Sequence, residues 1–333
     1  MNHLVRRLSL LLLPILALCV LSGCSGLALL MAWDQWFSSS GDNPTSYRIY
    51  LDGYDLGTTA SANGVISLAG AETGDYLITV AKYPDKRRGV HVLAHVDYGK
   101  AVNLRTTNPF EGGVISGTVR RDTITGPVLA GVRVIAVRDG ASLIASSGPL
   151  SLPAAAGSSL EYMMAYTDDS GQYTLGPAKY GSWLVFATQA GYAADAHSVT
   201  VQSGTDAVAN LVLARDPSIT TGLVRGTVTS KAGTALSQPL VTAKLATPYV
   251  PLISDALRTR IQSESGVTMP PGPWFQLATL TTLGSTTGVY SLDLPAGSCT
   301  VQAYKLQFRA TDVPTVITSG SLVTQDFALP STG

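Results

Sequence analysis

Cysteine is nearly missing from this chain: Cys19, Cys24 and Cys299 are the three present. Cys19 lies in an apolar leader and Cys24 at its end, so no pair remains for an intrachain disulfide and cohesion must come from core packing. Cys299 alternates with Val301 and Ala303 and reads as a small buried hydrophobe rather than a reactive thiol. Histidine is almost as scarce, with four residues, and no H-E-x-x-H, G-x-S-x-G or P-loop pattern occurs. With no general base set beside a nucleophile, the reading is non-enzymatic, without a cofactor or a metal. Charge is thin as well. Only 13% of residues are charged, and 22 Lys+Arg balance 22 Asp+Glu. Nucleic-acid binders draw their affinity from a basic excess, so no nucleic-acid partner is expected.

What is present is apolar residues, at 45%, together with 33 glycines and 18 prolines. That mixture predicts many short strands joined by turns.

The first 24 residues, MNHLVRRLSLLLLPILALCVLSGC, carry Arg6 and Arg7, then an apolar run over 8–20, then small residues before Cys24. This is the build of a secretory signal. The stretch Leu21 to Cys24, "LSGC", resembles the lipobox of bacterial lipoproteins. That resemblance implies cleavage before Cys24 and lipid attachment at Cys24, giving a membrane partner through acyl chains that bury about 0.8 kcal/mol per CH₂. Ser25, not Asp, follows, and in a cell with two membranes the sorting pattern this resembles favours the outer one. A second reading stays open. Apolar residues continue through "GLALLMAW" (26–33), and 8–33 is long enough to span a bilayer uncleaved. Both readings place the bulk of the chain outside the cytoplasmic membrane, at the outer membrane, the cell surface or a periplasmic face.

Beyond the leader the chain repeats itself. NGVISLAGAETGDYLITVAK (63–82), SGQYTLGPAKYGSWLVFATQ (170–189) and TGVYSLDLPAGSCTVQAYK (287–305) each hold a turn glycine, an alternating strand, a second turn glycine and a second alternating strand. The glycines pair as Gly64 with Gly74, Gly171 with Gly181, and Gly288 with Gly297; Gly99, Gly204 and Gly320 follow 25, 23 and 23 residues later. Period-two alternation puts Tyr173 with Leu175, and Tyr290 with Leu292 and Leu294, on inward faces. The second and third copies open alike, with "ISGTV" (115–119) and "VRGTV" (224–228). The first appears without that strand and enters at "YRIYLDG" (47–53). About seven strands in roughly 100 residues is the scale of an immunoglobulin-like sandwich.

The pattern G-T-V, "TDDSGQYTL", "YGSWLVFATQAGY" resembles the carboxypeptidase regulatory-like domain, a transthyretin-like β-sandwich, and the first copy is similar to the shorter PEGA-type surface domain. The fold class expected is all-β: tandem immunoglobulin-like or transthyretin-like antiparallel sandwiches after an N-terminal signal helix. The organisation expected is a lipoprotein signal peptide over 1–24, a tether over 25–45, a PEGA-like domain over 46–106, and carboxypeptidase regulatory-like sandwiches over 113–215 and 222–331. Short proline-containing linkers predict a semi-rigid string.

Two insertions interrupt the second and third copies at one topological position. Residues 139–165 form a Gly/Ser/Ala-rich loop. Residues 246–276 contain a helical pattern over 251–265, with Leu252, Ile253, Ala256, Leu257 and Ile261 on one face, and then Trp274 and Phe275 in a proline-stiffened loop. Loops on a rigid scaffold often carry function, so Trp274, Phe275 and Tyr249 are the candidate ligand-binding residues, as stacking platforms for a polysaccharide. The competing reading is that they cap an open end of the core. "HVLAHVD" (91–97) sets His91, His95 and Asp97 on one strand face, but i and i+4 on a strand lie about 13 Å apart, too far for one metal ion; a solvated face is expected. "DKRR" (85–88) reads as a solvated turn, and "TDDSG" (167–171) as turn chemistry. The function expected is a membrane-anchored envelope protein acting as a binding, adhesion or spacer scaffold toward envelope proteins or polysaccharide; the alternative is a carbohydrate-binding surface protein using the 246–276 aromatics.

Overall fold

A computed structural model describes residues 28–31, 46–59, 65–68, 70–98, 103–104, 110–216 and 218–332. Cys24 and the leader lie outside the described residues, as do Gly64 and Gly99.

The chain is all-β, and its described residues form three two-sheet sandwiches with two helices. The first has β1 (Ala28–Met31), β2 (Tyr47–Leu51), β3 (Tyr54–Thr59), β4 (Val65–Ser67), β5 (Gly74–Lys82), β6 (Arg88–Val96) and β7 (Asn103–Leu104), with β8 (Phe110–Glu111) added beside β6. The second has β9 (Gly113–Arg121), β10 (Arg133–Arg138), α1 (Gly140–Ser147), β11 (Leu150–Leu152), β12 (Tyr162–Tyr166), β13 (Gln172–Ala178), β14 (Gly181–Ala187), β15 (Asp195–Val201), β16 (Ala207–Val208) and β17 (Leu211–Leu213). The third has β18 (Thr221–Ser230), β19 (Leu240–Tyr249), α2 (Asp255–Ser265), β20 (Phe275–Leu283), β21 (Val289–Pro295), β22 (Gly297–Lys305), β23 (Phe308–Ile317), β24 (Leu322–Thr324) and β25 (Phe327–Leu329).

One plan serves all three. An opening strand (β1, β9, β18) pairs antiparallel with the fourth (β4, β13, β21) and parallel with the closing strands (β7; β16 and β17; β24 and β25). In the facing sheet the second strand lies between the third and the fifth, with the sixth outside. Gly171 and Gly288 hold the turn before the fourth strand at φ +71° and +78°, a conformation that glycine adopts without steric cost.

The first sandwich is therefore not short of its opening strand. Ala28–Met31, inside the stretch expected to be a tether, takes that place between β4 and β7. A four-residue apolar run after a leader has the hydropathy of either an anchor or a buried strand, and periodicity cannot separate them.

Nor do the sandwiches form a string. The outer sheet faces of the second and third are apolar and pack on each other. In β10 all of Arg133, Val134, Ile135, Ala136 and Val137 are buried. Val134 and Ala136 belong to the second sandwich's own interior; Ile135 and Val137 join a cluster that continues through Phe275 and Leu277 into the third sandwich's interior. The insertions lock this contact reciprocally. β11, from the second sandwich's insertion, adds a parallel strand to β20 of the third, pairing Leu150 with Phe275 and Leu152 with Leu277. α2, from the third sandwich's insertion, lies over β15, the edge strand of the second. There Glu264 accepts from Ser198 N at 2.8 Å and pairs with His197 Nδ1 at 2.8 Å, while Arg260 pairs with Asp195. An edge strand left open would invite pairing with another chain; α2 closes it. α2 starts at Asp255, four residues into the expected 251–265 pattern, because Ser254 caps Leu257 N at 3.1 Å; Leu257 and Ile261 face the core, whereas Leu252 and Ala256, expected on the same face, are exposed.

The first sandwich docks on both others. Tyr54 Oη donates to the Gln238 carbonyl at 2.8 Å, and Lys86 Nζ donates to the Thr174 carbonyl at 3.0 Å. Gly70 passes so close that a Cβ there would meet the Phe308 carbonyl oxygen at 2.0 Å.

Candidate functional site

Where the outer faces of the second and third sandwiches part, the first sandwich roofs the gap and leaves a cavity of about 210 Å³ lined by all three. Its depth comes from strand alternation. On β10, Arg133 shares the outer face with Ile135 and Val137. On β22, Gln302 and Tyr304 point opposite to the inward Val301 and Ala303. Tyr166 ends β12 on the same outer side, and its hydroxyl donates to Thr281 Oγ1 at 3.0 Å. The roof is the β2–β3 turn, where Asp52 sits at φ +49°. Asp52 donates its N–H to the Leu77 carbonyl and accepts Leu77 N–H on Oδ1, both at 2.8 Å.

The cavity floor is polar. The Arg133 guanidinium donates to Thr279 Oγ1 at 3.1 Å and to the Thr279 carbonyl at 2.6 Å. Burial pushes the Asp52 carboxyl up to about 6, against the opposing pull of the Leu77 N–H and Arg133. Tyr304 and Gln302 are each 7% exposed. The Tyr304 hydroxyl is buried without a partner among the described residues, and burial drives its ionisation far out of reach. At the mouth, Lys244 lies 3.6 Å from Asp312. Glu72, Asp75 and Lys244 line the cavity too, so its wall carries charges of both signs beside the Gln302 amide and the Tyr76 and Tyr166 rings.

The residues singled out by sequence lie elsewhere. Trp274 and Phe275 are 0% exposed and Tyr249 6%. They fill the contact between the second and third sandwiches, with Phe275 stacked on Phe186 and Trp274 Nε1 donating to the Pro270 carbonyl. None offers a face to a polysaccharide, so the stacking-platform expectation is corrected: these aromatics seal an apolar surface that β20 would otherwise leave open. The strand 91–97 is not a solvated face throughout. His91 docks the first sandwich on the second, accepting from Thr79 Oγ1 at 2.8 Å and donating from Nε2 to the Pro177 carbonyl at 2.7 Å. Burial lowers its pKa to about 4. His95 is exposed and pairs with Asp75 at 2.6 Å. No cluster of three potential metal ligands occurs among the described residues. "DKRR" is also a docking element, with Lys86 Nζ donating to the Thr174 carbonyl and Arg87 bonded to Asp206 at 2.6 Å, both on the second sandwich. Asp168 closes its turn on Ser170 and Gln172 as expected. Cys299 is buried, and burial pushes its thiol up.

Arg133, Gln302, Tyr304 and Asp52 escaped sequence reading. The available signal was a charged or amide side chain set into otherwise apolar strands, "GVRVIAV" and "CTVQAYK".

No protein-family model and no curated protein matches the chain; the carboxypeptidase regulatory-like and PEGA resemblances rest on the quoted residues alone. Solved structures do match. The Bacillus anthracis TIE protein does so at 15% identity and TM-score 0.22, covering 86% of this chain and 50% of that one, so the chain spans half its length. A Streptococcal ancillary pilin matches at 11% identity and TM-score 0.23, covering 92% and 98%. The shaft pilin SpaA from Lactobacillus rhamnosus GG matches at 13% and 0.23, covering 66% and 97%. Likeness at this level says nothing about what this chain does. Among the described residues no helix is long and apolar enough to cross a membrane.

Proposed function

We propose that the chain is a non-enzymatic lipoprotein of the cell envelope, anchored through Cys24, whose three sandwiches serve as one rigid binding and spacing block outside the cytoplasmic membrane. The observation that carries the anchoring is the position of β1. An uncleaved anchor over 8–33 would need Ala28–Met31 in the bilayer, yet these residues pair with β4 and β7. Cleavage before Cys24 leaves residues 25–27 between the lipid-bearing residue and the sheet, a reach of at most about 14 Å over the four Cα steps from Cys24 to Ala28 at ~3.5 Å each. The block would then sit against the membrane surface rather than on a long tether. The scaffold role draws on the interlocked insertions, which make the sandwiches a stiff spacer rather than a flexible chain.

Metabolic labelling with a fatty-acid analogue tests the proposal. Wild-type chain should take label and Cys24→Ala should not, with the mature chain beginning at residue 24. A wild-type chain that retains residues 1–23 and takes no label would sink the reading.

A further inference from the structure

The longest edge strand among the described residues is β23, ten residues that pair with β22 on one side. The other two sandwiches cover their sixth strands, since β8 adds to β6 and α2 lies over β15. On β23 only the start is covered. There Arg309 N–H donates to the Pro330 carbonyl at 2.8 Å and Thr332 N–H to the Gln307 carbonyl at 2.9 Å. Residues 311–317 are left open among the described residues. We propose that this stretch is an edge shaped to pair with the same strand of a second copy, and that Pro314 stops it from doing so and keeps the chain a monomer. The proposal is independent of where the chain is anchored.

The register carries the argument. β22 and β23 run antiparallel, with Val301 opposite Val313, Thr300 opposite Pro314 and Cys299 opposite Thr315. In such a ladder, facing pairs alternate between those that exchange both hydrogen bonds and those that exchange none. Proline has no N–H to exchange, so Pro314 takes a non-bonding position. Val313 and Thr315 then bond to β22, while Asp312 and Val316 turn their N–H and C=O outward beside Pro314. Asp312, Pro314 and Val316 are all exposed. These outward groups fit a two-fold axis through residue 314. Antiparallel pairing of two β23 strands about that axis sets Asp312 against the second copy's Val316, so no like charges meet, and Lys244 lies 3.6 Å from Asp312 within the same chain. Thr311, Val313, Thr315, Val316 and Ile317 are residue types that favour strands. An open edge of this kind is a template for another chain. On the axis itself stands Pro314 from each copy. Each lacks the donor that the other's carbonyl needs, and each puts ring carbons where that N–H would be. The symmetry makes the obstruction count twice.

Sedimentation of the purified full chain in density-matched detergent, with micelles in excess, tests the proposal. The chain is held at about 0.1 mM, enough to form most of a dimer whose Kd is ~10 μM. Wild type should sediment with the mass of one chain. Pro314→Thr restores the donor and should sediment with twice that mass. Adding Val316→Pro to it blocks the pair with Asp312 on both sides of the axis and should return it to one chain. Melting temperatures check the register. Pro314→Thr should melt no lower than wild type, because residue 314 gives nothing to β22, whereas Thr315→Pro should melt lower, because it deletes an N–H that bonds β22. A dimeric wild type, a Pro314→Thr chain that stays single, or a Pro314→Thr dimer that Val316→Pro leaves intact would each overturn the proposal. So would a lower melting temperature for Pro314→Thr, or an unchanged one for Thr315→Pro. None of these results bears on lipidation at Cys24, so failure here leaves the anchoring proposal standing.

Discussion

Phe186 of the second sandwich lies flat on Phe275 of the third, with 3.6 Å between ring centroids and 14° between planes. Both rings are fully buried, so this contact is core, not a surface touch. With β11 paired to β20 on one side and α2 laid over β15 on the other, the two sandwiches have no route to separate without breaking strand pairing and exposing apolar faces.

Phe275→Ala should therefore destabilise the whole body, by about 3–5 kcal/mol for loss of a buried phenyl. Unfolding of the wild type, followed by tryptophan fluorescence and by far-ultraviolet circular dichroism, should give coincident transitions. Trp183 reports the second sandwich's interior and Trp274 the shared contact. Two separated transitions would mean that the sandwiches are independent units after all.

The repeat signature has a physical content that permits a paired test. Tyr173 Oη donates to the Ala209 carbonyl at 2.5 Å, and Tyr290 Oη donates to the Gln325 carbonyl at 2.6 Å. A Cβ on Gly117 or Gly226 would meet those same two oxygens at 1.9 Å. Beside them, Thr118 donates N–H and Oγ1–H to Asn210 Oδ1, and Thr227 does the same to Asp326 Oδ1. The glycine of G-T-V lets the closing strand approach, the threonine bonds the next side chain, and the tyrosine ties the carbonyl. Tyr173→Phe and Tyr290→Phe should cost similar amounts, about 1–2 kcal/mol for a buried carbonyl losing a donor. Gly117→Ala should cost more, because the obstacle is backbone. Denaturant midpoints check the ranking.

These motifs show why the sandwich was legible in the sequence and its surroundings were not. Gly171, Tyr173, Gly288 and Tyr290 act within one repeat, so their spacing carries the information. The fusion of the sandwiches is a relation between repeats. Its trace was a break in alternation: in "WLVFA" not only Trp183, Val185 and Ala187 but also Leu184 and Phe186 are apolar, and both faces of β14 are buried. A strand buried on both sides loses the period-two pattern. The insertion 139–165 reads as a loop but holds α1 (Gly140–Ser147) and β11 (Leu150–Leu152): the helix is a short Gly/Ser/Ala run with only Leu143 and Ile144 as large apolar residues, and the strand is too brief for a periodic signal and forms where β20 offers an edge. The cavity was hidden for the same reason, since Asp52, Arg133 and Gln302 meet across three repeats.

Ile261→Ala tests the other half of the clasp. Ile261 is 0% exposed on the face that α2 turns to the core. Truncation should cost about 2–5 kcal/mol and loosen α2 from β15, so limited proteolysis should cut first within 250–272. Cleavage first in the first sandwich would argue that α2 is not what holds this side.

The acid response should separate two buried groups of opposite sign. His91 has its pKa lowered by burial to about 4, against about 6.5 in the unfolded chain. Between those values the unfolded state holds more protons, so this group adds stability as pH rises and withdraws it as pH falls. Asp52 is raised by burial to about 6 from 3.8. Between about 4 and 6 the folded state holds more protons at this site, so Asp52 withdraws stability as pH rises through the same window. The two partly cancel between about 4 and 6, and His91 acts alone from about 6 to 6.5. His91→Gln keeps an N–H for the Pro177 carbonyl but cannot titrate, so Asp52 is left unopposed and the variant's urea midpoint should rise on acidification from pH 6.5 to 4.5, whereas that of the wild type changes little. Asp52→Asn removes the opposing group, so its midpoint should fall more steeply over that interval, by at most about 3 kcal/mol from the histidine. Parallel profiles for the wild type and both variants would show that neither group is held in its buried form, and with that the docking of the first sandwich through His91 and the closed roof over the cavity would both be in error.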